Sequence, residues 1–150
     1  MLWVSADATD DIDLFVALEK LDADGDQVFF YGNGGITAND VVSRGWLRVS
    51  HRELDVKAST VFRPVHLHKQ QLTLTPGEPV EVEIAILPHA TTFDPGDTLR
   101  VHIQGTPIEP QGNFHRFERR VNKGNTTIHT GGRFDARLVL PRIDLRTTDR

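Results

Sequence analysis

The chain carries no motif for serine-hydrolase catalysis. A nucleophilic serine of that class stands on a sharp strand-to-helix turn, the G-x-S-x-G elbow, because the strained turn exposes its hydroxyl beside backbone oxyanion donors. None of the four serines has this context: Ser5, Ser43, Ser50 and Ser59. Ser50 precedes His51, but neighbouring residues of a strand point to opposite faces. We therefore predict no catalytic residue in this chain.

Seven histidines raise the question of a metal site. His66 and His68 would share one face of an extended segment, as two ligands of a transition metal require. Spacing defines no third ligand, since the other histidines are scattered: His51, His89, His102, His115 and His129. We predict no metal and no cofactor, and assign the histidines to surface or hydrogen-bonding roles.

The segment Asp22-Ala23-Asp24-Gly25-Asp26 resembles the start of a calcium loop, in which alternate carboxylates converge on a hard cation. The resemblance ends there, because the glycine stands at the fourth position rather than the sixth and Asn33 occupies the twelfth. A hairpin loop in which Gly25 supplies a positive φ is the better interpretation.

Trp46, Arg48, His51 and Arg52 lie close together in the sequence. An aromatic ring and a guanidinium could bind a sugar or stack on a protein partner. A strand whose arginines pair with acids of neighbouring domains is the interpretation that we favour. We predict an interdomain or ligand surface formed by these residues and three further histidines: His66, His68 and His129.

Composition excludes several classes. The net charge of −4 over 150 residues favours neither nucleic acid nor an anionic membrane as a partner. There is no cysteine for a disulfide or a thiolate site, and no apolar run approaches the length of a membrane span. Without a basic N-terminal flank of the secretory type, a cytoplasmic location is the default expectation.

Short strand patterns bounded by turn residues follow one another along the chain. A hairpin is expected from residues 12–19 and 27–31, and further strands at 45–51, 80–87, 98–104 and 134–140. A short helical turn is expected at residues 39–44. Strands with one buried face need a second sheet, so the fold class is all-β, a two-sheet β-sandwich. Period-two alternation predicts a core of Leu14, Val16, Val82, Ile84, Val101, Ile103, Leu138 and Leu140.

Four segments, residues 2–26, 45–55, 74–105 and 125–143, carry a resemblance to a known family. In order and spacing they resemble the C-terminal domain of X-prolyl dipeptidyl peptidases, cocaine esterase and α-amino-acid ester hydrolases, the CocE/NonD group. The resemblance implies a galactose-binding-like jelly roll at residues 1–143, followed by a polar tail at 144–150. It also implies that the Ser, Asp and His of the triad lie in another domain of the parent protein.

The resemblance further implies a function for the chain. It is expected to be a non-catalytic structural and interaction domain that supports the catalytic and cap domains and the substrate entrance, with homo-oligomer contacts as a further role. The alternative is a carbohydrate- or calcium-binding module. Because the family's domain normally starts with strands upstream of Leu2–Ser5, we expect the sandwich to lack its first strand or strands. The uncovered edge would then drive self-association as a two-fold dimer.

Overall fold

The computed structural model describes residues 1–32, 37–108 and 121–143. The regular elements of these residues are strands, apart from one turn of 3₁₀ helix at Val49–His51. In chain order the strands are β1 (Leu2–Ala6), β2 (Asp13–Leu21), β3 (Gln27–Val28), β4 (Phe30–Gly32), β5 (Thr37–Asp40), β6 (Ser43–Arg48), β7 (Val80–Val82), β8 (Thr98–Gln104) and β9 (Thr126–His129). The all-β prediction is confirmed.

Every strand pairing in the described part of the chain is antiparallel. One sheet has the order β7-β1-β9, and in the other β2 pairs with β3, β6 and β8. Strands β4 and β5 form a separate pair. Early strands thus pair with late ones, as the connections of a jelly roll require.

The core lies between the two larger sheets. Alternate residues of β1 and β2 point inward, so that Val4 and Leu14 are almost fully buried. The complete buried cluster is Val4, Ala6, Ile12, Leu14, Leu47, Val49, Leu74 and Val82. This arrangement confirms the predicted sandwich.

The predicted hairpin between β2 and β3 is present. Gly25 adopts φ +88°, and the Asp22 carboxylate accepts the backbone N–H groups of Asp24 and Asp26 at 3.0 and 2.9 Å. The carboxylate therefore caps its own turn, which confirms the predicted hairpin loop.

The helical turn expected at residues 39–44 is wrong. Strand β6 begins at Ser43, and the Val42 N–H donates to the Leu18 carbonyl at 2.9 Å. Pairing with β2 thus satisfies the backbone groups that a helical turn would have used.

Several predicted strands are shorter than expected. The strand predicted at 45–51 ends at Arg48, before the 3₁₀ turn at Val49–His51. Of the strand predicted at 27–31, only Gln27–Val28 pairs with β2, and Phe30–Gly32 pairs with β5.

Strand β7 ends at Val82, and only an isolated bridge between Ile86 and Gly45 continues it. Residues 135–140 belong to no strand, although Arg137 exchanges backbone hydrogen bonds with Met1. The predicted tail at 144–150 lies outside the described residues. Within those that are described, no helix is long and apolar enough to cross a membrane.

The core prediction is correct in part. Leu14, Val16 and Val82 are buried, and Ile84 and Ile103 are half-buried. Val101, Leu138 and Leu140 are exposed, the last two at 37% and 46%. Alternation of apolar and polar residues identifies the apolar side of a strand, but it does not show whether a second layer covers that side.

Candidate functional site

A shallow cleft of about 260 Å³ opens on the face of β2 and β6 that points away from the core. Trp46 stands opposite Phe15 in this sheet and is 53% exposed, whereas the next residue, Leu47, is buried in the core. The residues around the cleft are Asp13, Leu14, Phe15, Trp46, Leu47, Arg48 and His51. An exposed indole on a rigid strand is a ready contact for another surface.

The guanidinium beside this indole is already paired. Arg48 donates from Nε to Oδ1 of Asp13 at 2.8 Å and from Nη2 to Oδ2 at 2.9 Å, which is a two-point contact across β2 and β6. The hydrogen bond with Asp13 raises the pKa of Arg48 above its ordinary value. The pair orients the edge of the cleft, compensates the charge of Arg48 and occupies two of its five N–H donors.

Behind the cleft, Asp11 organises the turn that follows β6. Its carboxylate accepts the N–H of Ser50 at 2.9 Å and the Ser50 hydroxyl at 2.8 Å. Arg52 donates to the backbone carbonyls of Val49 and Leu72. Desolvation lowers the pKa of Arg52. Ser50 and Arg52 therefore maintain local structure and are not available for chemistry.

Three predicted site residues come together next to the cleft. The rings of His51 and His68 are 5.3 Å apart between centroids, and those of His66 and His68 are 6.0 Å apart. Nε2 of His66 is 3.0 Å from the Glu83 carbonyl oxygen, and desolvation lowers the pKa of His66. Nδ1 of His51 is buried and has no partner among the described residues.

This histidine cluster does not follow the extended geometry that the sequence predicts. His68 has φ +51°, so its ring is not related to that of His66 by simple strand alternation. In the described ranges, no group of three His, Cys, Asp or Glu side chains is placed to hold a metal ion.

His129 lies apart from the other predicted residues, on β9. Its Nε2 is 2.8 Å from Oγ of Ser5, and its ring is 4.9 Å from that of Phe134. No carboxylate of the described residues hydrogen-bonds to His129, and Ser5 is buried within a regular strand. This pair thus lacks the third group and the exposed elbow of a serine-hydrolase triad.

Sequence reasoning missed one buried charge on the face of the sheet that carries Trp46. Glu19 points outward from β2 and binds Arg100 and His102 of β8, the latter at 3.2 Å. A signal was present, because Glu19 interrupts an apolar strand and must find a partner when buried. Its partners lie about eighty positions away, so only the pairing of β2 with β8 reveals them.

With this geometry in place, comparison with known proteins assigns the chain. Residues 1–139 match the family described as the X-Pro dipeptidyl-peptidase C-terminal non-catalytic domain. The chain belongs to this family. The absence of an elbow and the isolated Ser5–His129 pair agree with a domain of that description.

Two solved structures are similar to this X-Pro dipeptidyl-peptidase C-terminal domain. A crystal structure of a CocE/NonD family hydrolase from Staphylococcus aureus is 43% identical, with a TM-score of 0.84 over 89% of this chain and 25% of that one. A second crystal structure described in the same way is 42% identical, with a TM-score of 0.83 over 90% of this chain and 25% of that one. This chain thus spans a quarter of those hydrolases. A comparison with curated proteins finds no match.

Proposed function

We propose that this chain is the structural and interaction domain of a larger serine hydrolase, of the X-Pro dipeptidyl-peptidase or esterase type. The chain would support the catalytic and cap domains and form part of the substrate entrance. The parent reaction, acyl-enzyme hydrolysis of an ester or X-Pro bond, would then use groups outside this chain. A cytoplasmic location and homo-oligomerisation stay predictions.

The observation that carries this proposal is the face that contains Trp46. A largely exposed tryptophan lies beside a cleft whose one arginine is neutralised by Asp13. Such a surface fits a protein partner, because the indole offers contact area and the paired guanidinium brings no uncompensated charge into an interface. A sugar site would instead need several polar groups free to bind hydroxyls, and the bidentate pair with Asp13 already occupies two of the five N–H donors of Arg48.

Hydroxyl-radical footprinting tests this assignment. The oxidation rate of each tryptophan is measured in the isolated chain and in the full-length hydrolase, by mass spectrometry of the peptides that contain Trp46 and Trp3. We expect Trp46 oxidation to be slower by about fivefold or more in the full-length protein, because interface cores are well desolvated. Trp3 is an internal control, since its indole nitrogen is already buried within this domain. Equal Trp46 rates in the two proteins would refute an interdomain contact at this face.

A further inference from the structure

A small hairpin lies between β6 and β7 in the sequence. Its base is an antiparallel bridge between Leu54 and His66. Nearer its tip, the Ser59 hydroxyl accepts the Val65 N–H at 2.9 Å, so a side chain joins the two arms. We name residues 54–66 the β6–β7 hairpin.

The tip of the β6–β7 hairpin is a two-residue turn. Thr60 and Arg63 form an antiparallel bridge in which each N–H donates to the other's carbonyl, at 3.0 and 3.1 Å. Val61 and Phe62 are therefore the two residues of the turn. Because both ends of the turn are hydrogen-bonded, the backbone of this apolar pair is held in a defined position.

The chemistry of the tip is that of a contact surface. Val61 and Phe62 are 70% and 57% exposed, although surface turns favour glycine, proline, asparagine, aspartate and serine. Two cations of the same hairpin, Lys57 and Arg63, are also exposed, and their side chains have no hydrogen-bond or ion-pair partner among the described residues. Apolar surface beside uncompensated positive charge is complementary to an apolar pocket with carboxylates at its rim.

The base of the β6–β7 hairpin adjoins the cleft beside Trp46. The ring of His66 is 6.0 Å from that of His68, which in turn is 5.3 Å from that of His51. His51 lines the cleft. Three neighbouring rings thus connect the hairpin with the face that contains Trp46, so we assign both to one partner.

The size of the contact decides what kind of partner this is. A phenylalanine side chain buries about 150–250 Å², whereas stable interfaces between separate proteins bury about 1,200–2,000 Å² in total. The two side chains of the tip are therefore too few to recruit a separate molecule or a membrane surface. They suffice within one polypeptide, because linkage gives its parts an effective concentration in about the millimolar range.

We propose that Val61 and Phe62 insert into an apolar pocket with an acidic rim, on the part of the larger hydrolase that also covers the Trp46 face. This inference rests on the proposed function, in which the chain is one domain of such a hydrolase. It adds a second contact with its own chemistry, in which Phe62 fills the pocket and Lys57 and Arg63 pair with carboxylates at the rim.

Photo-cross-linking in the full-length hydrolase tests this contact. Phe62→p-benzoylphenylalanine places a photoreactive ring at the tip. Val56→p-benzoylphenylalanine is the matched control, since Val56 is 85% exposed on the same hairpin but outside the turn. Mass spectrometry identifies the attached peptides after illumination. We expect position 62 to cross-link to a peptide of the same polypeptide outside this chain, with a yield about fivefold or more above that at position 56. A cross-link to a second copy would overturn the proposal.

Charge reversal tests the acidic rim in the same assay. Arg63→Glu should lower the yield at position 62 about threefold or more, because the new carboxylate would face those of the rim, whereas Arg63→Lys should retain it. Equal yields in the two variants would overturn the acidic rim.

Hydrogen exchange provides a second measurement on the unmodified protein. The N–H groups of Val61 and Phe62 donate to no other described group, so their exchange should be fast in the isolated chain. In the full-length hydrolase it should be slower by about tenfold or more. Unchanged exchange, together with a cross-linking yield at position 62 no higher than at position 56, would overturn the hairpin contact even where Trp46 is protected. An unprotected Trp46 would instead refute the interface of the proposed function, whatever the hairpin shows.

Discussion

At the residue scale, the most connected polar side chain of the site is one that no motif singles out. Asp11 accepts hydrogen bonds from the N–H and the hydroxyl of Ser50 and from the N–H of its neighbour Ile12. Both Ser50 and Ile12 are almost fully buried. Asp11 therefore holds the end of β6 against the start of β2, and with it the edge of the cleft below Arg48.

Replacing this carboxylate should be costly for stability. Asp11→Ala leaves the buried Ser50 hydroxyl and N–H without their acceptor, so we expect a loss of about 1–3 kcal/mol in the free energy of unfolding. Asp10→Ala is a matched control, since Asp10 is exposed and only its backbone carbonyl, which the variant keeps, accepts from Leu74. Urea denaturation of both variants measures the difference, and equal losses would show that Asp11 has no special role.

At the element scale, local sequence patterns predict the positions of strands well, but they do not predict which strands a second layer covers. The hairpin of β2 and β3, strand β8 and the inward face of β2 all follow from alternation and turn residues within a few positions. The exposure of Val101 does not follow from these local patterns. Strand β8 pairs only with β2 in the described chain and so lies at the edge of its sheet. Whether a second layer covers a strand depends on distant parts of the chain.

The same limit applies to the candidate site. Sequence proximity grouped Trp46, Arg48 and His51, and the structure brings these three around one cleft. The approach of His68 to His51 depends on the path of the segment between them and on the positive φ of His68. His129 was grouped with them by residue type alone, and it lies on β9 with Ser5.

Contact between β6 and the segment after β7 depends on one glycine. A Cβ at Gly45 would press on the carbonyl oxygen of Ala85, which is backbone and cannot rotate away. Gly45→Ala should therefore lower the free energy of unfolding by about 1–3 kcal/mol through overpacking. Thr127→Ala, at an exposed strand position, should change it by less than about 0.5 kcal/mol. Denaturant titration compares the two, and a harmless Gly45→Ala would mean that the bridge to Ile86 is dispensable.

At the scale of the whole molecule, the described residues present apolar surfaces on several separate elements. Its large exposed apolar side chains include Trp46, Phe62 and the run from Leu138 to Leu140, which lie on different elements. A domain that spans a quarter of its solved relatives is expected to bury such surfaces against the remainder of the polypeptide. By contrast, the ion pairs of Arg48 with Asp13 and of Arg100 with Glu19 form within this chain.

The most direct test of this account is an assay of the isolated chain for turnover. Hydrolysis of p-nitrophenyl acetate and of an Ala-Pro chromogenic substrate is measured over a range of substrate concentrations for the wild type and for Ser5→Ala, which removes the only hydroxyl bonded to a histidine in the described structure. We predict no saturable turnover with either substrate and the same unsaturable histidine background in both proteins. Saturable turnover that survives purification and disappears in Ser5→Ala would contradict the assignment of this chain as a non-catalytic domain.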